Sequence, residues 1–164
     1  IKECDWSSDV CSSDLAAAAR RVPGLEPRSE QWKAAISRTY VENLVKAAAV
    51  SRGFGAEFLG FLQPMLAYKS PISAQEAALA ATLTPGVRDH SLEMRQRIQR
   101  DIAIIAQPAR VPVFDLSAAY DGIADTVYMD EIHTRQDAKP RIAGLIHAEL
   151  RQALASRLAQ TPPR

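Results

Sequence analysis

Apolar residues recur at helical spacing in three segments of the chain. The first follows Ser29, whose hydroxyl can cap the free amides at a helix start, and ends at Gly53. The second covers residues 90–106, and the third ends before Pro162 and Pro163. The three apolar stripes are Ile36, Tyr40, Leu44 and Ala47; Met94, Ile98, Ile102 and Ile105; and Ile142, Leu145, Ile146, Leu150, Leu154 and Leu158.

The second of these helices is amphipathic, and its charged residues are predicted to form its solvated face. These residues are Arg95, Arg97, Arg100 and Asp101. A further helix start is predicted at Ser73, because Ser73 and Glu76 have the spacing of a capping box, in which each side chain binds the other's backbone amide.

Two short apolar runs, residues 56–62 and 111–116, are typical of strands buried in a parallel sheet. A helix is the alternative for the first run, but Gly53 and Pro64 on either side favour a strand. Pro112 lies near the start of the second run, where a missing amide is tolerated. Residues 117–126 are predicted to form a loop or helical turn. The order helix, strand, helix, helix, strand, loop, helix predicts the α/β class.

Residues 1–15 have a different origin from the rest of the chain in our interpretation. The segment from Asp5 to Leu15 matches, residue for residue, one reading frame of a common short-read sequencing adapter. The alternative is a Ser-rich, acidic N-terminal loop, which the composition would also allow. Because a match of that length is not expected by chance, we treat residues 1–15 as translated adapter and residues 16–164 as part of a single domain.

Setting this segment aside changes what the composition implies. It holds one of the 20 Lys and Arg residues and four of the 19 Asp and Glu residues, so the remainder has a formal net charge of +4. Both cysteines, Cys4 and Cys11, also fall inside it, so a disulfide or thiol-metal site is not expected. No dense basic run suggests nucleic acid, and no stretch approaches the roughly 18 apolar residues of a membrane span. The localisation stays open.

The segment Val127-Tyr128-Met129-Asp130-Glu131-Ile132-His133 places a carboxylate three residues ahead of an imidazole. In a turn, this spacing lets Asp130 accept a hydrogen bond from one ring nitrogen of His133. The other nitrogen is then free to take a proton from a hydroxyl nucleophile, and the carboxylate stabilises the imidazolium. Taken by itself, the spacing is also typical of a loop in which the pair caps the next helix.

The surrounding residues resemble the C-terminal part of SGNH (GDSL-like) hydrolases. These proteins have a strand ending in an Asp-Leu-Ser-like sequence, then a loop, an aromatic-bearing stretch, Asp-x-x-His, and a helix with Ile-Ala. The chain has a similar order in residues 113–117, 127–133 and 142–143. Phe61-Leu62-Gln63-Pro64, followed by Lys69 and residues 73–76, is similar to a strand end of many bacterial members. The resemblance covers roughly residues 40–150.

This resemblance implies a three-layer α/β/α, flavodoxin-like fold, of which the chain holds the last two main strands and their helices. It also implies a serine esterase or lipase-like enzyme acting on a small-molecule or carbohydrate ester, with His133 as general base and Asp130 as its orienting partner. Gln63 is a candidate substrate-binding residue. Neither a metal nor an organic cofactor is implied, and the oligomeric state is not indicated.

The chain also departs from the family pattern. Ala138 and Lys139 stand where members have Gly-Asn, although the following Pro140 suits the first turn of a helix. The Gly-Asp-Ser nucleophile block, the oxyanion-hole glycine and the Gly-x-Asn-Asp block are missing, and no Gly-Asp-Ser occurs in the sequence. We therefore expect a fragment that is inactive as it stands. We also expect an unpaired edge on its inner strand and poor solubility.

Two other functions remain open. One is a non-catalytic α/β scaffold or binding module in which Asp130 and His133 brace a loop. The other is acyl transfer to a polysaccharide, which would use the same triad with a different acceptor. Asp115, at a strand end, is either near the site or a structural cap. His90 and His147 are interpreted as surface histidines, and the three histidines lack zinc-type spacing.

Overall fold

The computed structural model describes residues 24–160 of the chain. The proposed adapter segment, residues 1–15, and the two terminal prolines lie outside the described residues. The helices are α1 (Glu30–Gly53), α2 (Ala74–Thr82), α3 (Val87–Asp101) and α4 (Lys139–Gln160). The strands are β1 (Gly60–Leu62) and β2 (Val113–Asp115). Short 3-10 helices cover Leu66–Tyr68 and Gln136–Ala138, and a π-helical turn, Ile102–Ala106, continues α3.

Both predicted helix caps are present. The Ser29 side chain accepts a hydrogen bond from the Trp32 amide at 3.2 Å. Ser73 and Glu76 form the complete capping box, with the Glu76 amide 3.2 Å from Ser73 Oγ and the Ser73 amide 2.9 Å from Glu76 Oε2. Helix α3 begins at Val87, three residues earlier than expected, because Gly86 before it adopts a left-handed φ of 79° that turns the chain into the helix.

The two strands pair in parallel, with Gly60, Phe61 and Leu62 opposite Val113, Phe114 and Asp115. Both are shorter than predicted. The Gly60 amide donates to the Pro112 carbonyl, and the Leu116 amide donates to the Leu62 carbonyl, each at 2.9 Å. The next bonds in this pattern would need amide hydrogens on Pro112 and Pro64, which proline lacks. The ladder therefore stops at a proline in each direction.

The α/β prediction is confirmed in its coarse form, since the described chain is rich in helix and contains a small parallel sheet. The connection between the strands runs through α2 and α3. The finer expectation of a flavodoxin-like α/β/α fold concerns more strands than the two that residues 24–160 contain, and it stays a prediction. None of the helices in this described range is both long and apolar enough to cross a membrane.

One hydrophobic core lies between α1, the end of α3 and the start of β2. Its buried residues are Val41, Ala48, Ile102, Ala106 and Val111. The helix α1 stripe is therefore offset by one residue from the one that we predicted: Tyr40 is 38% exposed, whereas Val41 is fully buried. The small side chains of Val41, Ala48 and the neighbouring Ser37 allow α1 to approach α3 closely. The larger side chains of the predicted stripe would keep the two helices further apart.

The expectation that the α3 charges form only a solvated face is wrong for three of the four residues. Asp101 accepts a hydrogen bond from Ser37 Oγ at 2.5 Å. Arg97 pairs with Glu93 at 2.7 Å and also contacts Glu30 of α1. Arg95 lies 3.6 Å from Asp115 and over the ring of Tyr68. Only Arg100 of the four is exposed. Each of the other three side chains links α3 to a neighbouring segment.

A second core lies beneath the loop that carries the candidate site. Its buried residues are Leu66, Ala119, Tyr120, Val127 and Tyr128. Ile142 of α4 packs against it, but three other residues of the predicted α4 stripe are exposed, namely Leu145, Leu150 and Leu154, and the side chain of Leu158 lies outside the described part of the chain. Much of the apolar face of α4 thus faces solvent in the described structure.

Candidate active site

The Asp-x-x-His segment forms the tip of a narrow loop, residues 127–135, which we call the Asp–His loop. Tyr128 and Thr134 form an antiparallel bridge across its base. The Met129 amide donates to the His133 carbonyl, and the Arg135 amide donates to the Val127 carbonyl, each at 2.8 Å. These bonds close the loop and force the residues between Met129 and His133 into a tight turn.

Within this turn, Asp130 binds His133 through both carboxylate oxygens. Its Oδ2 lies 2.6 Å from Nδ1 of the His133 ring. Its Oδ1 accepts the backbone amides of Ile132 at 2.8 Å and His133 at 2.7 Å. The turn therefore satisfies the carboxylate locally and fixes the direction from which it approaches the ring. Asp130 and His133 meet as the spacing predicted.

The surroundings of Asp130 favour its charged form. Burial by itself raises the pKa of this carboxyl, but the amides of His133 and Ile132 and the His133 ring outweigh burial and lower the pKa below its ordinary value. Asp130 is therefore ionised at neutral pH. Its negative charge beside Nδ1 favours a proton on that nitrogen, as an orienting carboxylate does in a catalytic triad.

The His133 ring is open to solvent on its other side. The side chain is 68% exposed, and within residues 24–160 no hydrogen-bond partner engages its second ring nitrogen, Nε2. With Nδ1 bound to the carboxylate, Nε2 is the nitrogen that can accept a proton. The pair can thus act as a general base toward a hydroxyl group placed near Nε2.

A groove of about 310 Å³ lies beside the Asp–His loop. Its lining includes Ile132 and Thr134, the two neighbours of His133 in the sequence, and Gln63. The remaining lining residues are Pro64, Lys139, Ile142, Ala143 and Ile146. The structure thus places Gln63 next to the loop in a mainly apolar groove.

A buried ion pair supports the base of the loop, and sequence reasoning missed it. Lys69 Nζ lies 2.5 Å from Glu76 Oε2, and both side chains are fully buried. In the sequence, the spacing between Ser73 and Glu76 indicated only a capping box. The separation of Lys69 and Glu76 does not indicate a buried ion pair. Burial by itself raises the pKa of Glu76, but Lys69 and the amides of Ser73, Val127 and Tyr128 lower it to about 2.

Asp115 has a structural role in the described fold. It accepts hydrogen bonds from Gln99 Nε2 at 2.5 Å and from the Ser117 amide at 2.8 Å. Arg95 lies at 3.6 Å from the same carboxylate. Burial raises the pKa of Asp115, but its contacts with Ser117, Gln99 and Arg95 outweigh this and lower it. Of the two interpretations from the sequence, these contacts favour the structural cap.

The other histidines lie apart from the Asp–His loop. The His90 ring packs against Trp32 with ring centres 5.9 Å apart, and burial, together with Arg28 and Lys33, lowers the pKa of His90. His147 is exposed on α4. Within the described part of the chain, no three His, Cys, Asp or Glu side chains are grouped so that they could hold a metal ion.

Comparison of the chain with protein-family models, with curated proteins and with solved structures gives no match.

Proposed function

We propose that His133 is the general base and Asp130 its orienting partner in an SGNH-type serine esterase, and that the serine belongs to polypeptide outside this sequence. The observation that carries the proposal is the 2.6 Å contact between Asp130 Oδ2 and His133 Nδ1, with Oδ1 held by two amides and Nε2 facing outward. A loop brace alone needs only the amide bonds. An ionised carboxylate placed on the ring, with the far nitrogen accessible, supports a role in proton transfer.

In the proposed reaction, a serine hydroxyl lies against His133 Nε2. The ring takes the hydroxyl proton as the serine oxygen attacks the ester carbonyl, and Asp130 stabilises the imidazolium. Collapse of the tetrahedral intermediate breaks the bond to the alcohol, which receives the proton from Nε2. Water, activated by the same nitrogen, then releases the acid from the serine. In this proposal, the hydrogen-bond donors that stabilise the oxyanion come from the same polypeptide outside this sequence as the serine.

The groove beside the loop is the proposed site for part of the ester substrate. Its apolar lining suits an acyl chain or the carbon face of a sugar, and Gln63 supplies an amide that can bind a carbonyl or hydroxyl group. The groove volume of about 310 Å³ is in the range of sites that bind small molecules. Gln63 is therefore our proposed substrate-binding residue.

The test starts from the source DNA. Resequencing the locus should replace residues 1–15 with coding sequence that contains a Gly-Asp-Ser block and a Gly-x-Asn-Asp block. The protein expressed from that frame should hydrolyse short-chain nitrophenyl esters, whereas the present chain should not. His133→Ala and Asp130→Asn should each lower kcat by about 1,000-fold or more. The matched control is His147→Ala on the exposed face of α4, which should leave kcat unchanged.

Two results would contradict the proposal. A locus that encodes the adapter-like peptide without an upstream nucleophile block would favour the scaffold or binding module. Equal activity in the wild type and His133→Ala would remove His133 from the chemistry. Assays with added sugar acceptors distinguish the third function, since an O-acyltransferase would form acylated sugar faster than free acid while depending on the same two residues.

A further inference from the structure

The Lys69–Glu76 pair is the most deeply buried ionic contact in the described structure. Lys69 follows the short helix after β1, and Glu76 lies in the first turn of α2. Both side chains have no exposed surface, and their charged atoms are 2.5 Å apart. Removing two charges from water is costly, so such a pair is weak evidence for stability by itself. The remaining contacts of the two side chains indicate its role.

Those contacts lead to one short segment, residues 125–128. Glu76 Oε1 accepts the amides of Val127 at 2.8 Å and Tyr128 at 3.1 Å. Lys69 Nζ donates to the Asp125 carbonyl at 2.8 Å. In addition, Ser73 Oγ and Thr126 Oγ1 are 2.8 Å apart. Side chains from residues 69–76 therefore hold every residue of this segment.

The held segment leads into the first arm of the Asp–His loop and includes its residues Val127 and Tyr128. Tyr128 pairs across the loop with Thr134, and Asp130 follows it by two residues. A second attachment reaches the tip, since the Leu66 amide donates to the Glu131 carbonyl at 2.9 Å. The stretch between Leu66 and Glu76 thus fixes both the base and the tip of the loop.

The loop tip has little packing to hold it otherwise. Met129, Ile132 and the His133 side chain are all exposed. Hydrophobic burial is therefore small at the place where the distance between Asp130 and His133 must be kept. Hydrogen bonds to buried, charged groups are stronger than those between neutral groups, so they suit this task.

From these contacts we propose that Lys69 and Glu76 are positioning residues, which hold the Asp–His loop so that Asp130 meets Nδ1 of His133. The significance of this for catalysis rests on the proposed function. The positioning itself is a property of the present chain. It is measured through the tautomer of His133: the Asp130 contact favours the proton on Nδ1, whereas a free neutral histidine carries its proton mainly on Nε2.

The experiment measures ring ¹⁵N shifts of the three histidines in the labelled chain above pH 8, through ring protons that do not exchange. Wild-type His133 should be the Nδ1–H tautomer. Glu76→Gln and Lys69→Met should shift it toward Nε2–H, and amide exchange at Ile132 and His133 should become about ten-fold faster or more. The matched control is Ser37→Ala, which removes a buried hydrogen bond in the other core. It should change neither quantity.

Far-UV circular dichroism on each variant establishes that the helices persist. If either single variant does not fold, the double variant of Lys69→Met and Glu76→Gln provides the measurement, because it removes the Lys69 bond to the Asp125 carbonyl without leaving an unpaired buried charge. An unchanged His133 tautomer in the folded variants would overturn the proposal, as would an equal change in Ser37→Ala. Ester hydrolysis plays no part in this measurement, so an inactive parent enzyme would contradict the proposed function and leave the positioning result standing.

Discussion

Asp130 binds both the side chain and the backbone of His133. Its Oδ2 lies 2.6 Å from the ring nitrogen Nδ1, and its Oδ1 lies 2.7 Å from the amide nitrogen of the same residue. The backbone bond fixes the carboxylate, and the carboxylate in turn fixes the ring. A three-residue spacing can achieve this only in a tight turn, which the cross-loop bonds of Met129 and Arg135 enforce.

The first prediction concerns this contact alone. Asp130→Ala should convert neutral His133 to the Nε2–H tautomer, because the acceptor that favours a proton on Nδ1 is gone. Ring ¹⁵N shifts measure the change, and His90 and His147 serve as references within the same sample. Asp137→Ala is the matched control, since Asp137 pairs with Arg135 nearby at 3.2 Å but does not touch His133. A tautomer that persists in Asp130→Ala would contradict the assigned contact.

The second prediction concerns the stability of the fold at acidic pH. The folded pKa of Glu76, about 2, lies below its ordinary value of 4.5, so its ionised form stabilises the fold at pH above 4.5. That contribution should decline as the pH falls from about 4.5 to about 2. It amounts to about 3 kcal/mol of unfolding free energy, because each ten-fold change in proton affinity corresponds to about 1.4 kcal/mol.

Urea unfolding of wild type and Glu76→Gln across this pH range isolates the contribution, since the other carboxylates are common to both chains. The free-energy difference between the two should shrink toward low pH. Glu42→Gln is the control, because Glu42 belongs to an exposed pair with Arg38. A Glu76→Gln difference that stays constant from pH 5 to pH 2 would show that Glu76 does not titrate with the lowered pKa.

The third prediction separates the charges of the buried pair from its hydrogen bonds. Lys69→Met should lower the unfolding free energy by about 3–5 kcal/mol, because it leaves the Glu76 carboxylate buried without its cation. Adding Glu76→Gln removes that charge and keeps Oε1 as an acceptor for Val127 and Tyr128. The double variant should therefore be more stable than Lys69→Met alone. A double variant whose loss equals the sum of the two single losses would exclude the coupling.

These contacts show which structural features the sequence predicts and which it does not. The helix caps at Ser29 and Ser73 and the Asp130–His133 contact are local, since each depends on residues three positions apart, and each was predictable. The sequence predicted where the two strands lie but not the residues at which they begin and end. Their ends depend on which amide faces the partner strand, and so on the position of Pro64 relative to Pro112.

The Lys69–Glu76 pair could not be predicted, because its role depends on contacts with residues 125–128, which lie about fifty positions away in the sequence. The same holds for α3, where Arg95 and Arg97 have the pattern of a solvated face. They pair with other segments only because the tertiary fold brings acidic groups beside them. The offset of the α1 stripe also depends on how closely α3 approaches, and periodicity alone does not encode this.

The last prediction concerns the uncovered face of α4, where Leu150 and Leu154 are 38% and 57% exposed. Apolar residues grouped on one exposed helix face favour self-association. Leu150→Lys combined with Leu154→Lys should therefore lower the association of the chain in sedimentation velocity, while the thermal unfolding midpoint changes little because neither side chain is buried. Phe54→Ser, at a residue 86% exposed after α1, is the matched control. If Phe54→Ser reduces association as much as the α4 pair, general surface hydrophobicity rather than this face is responsible.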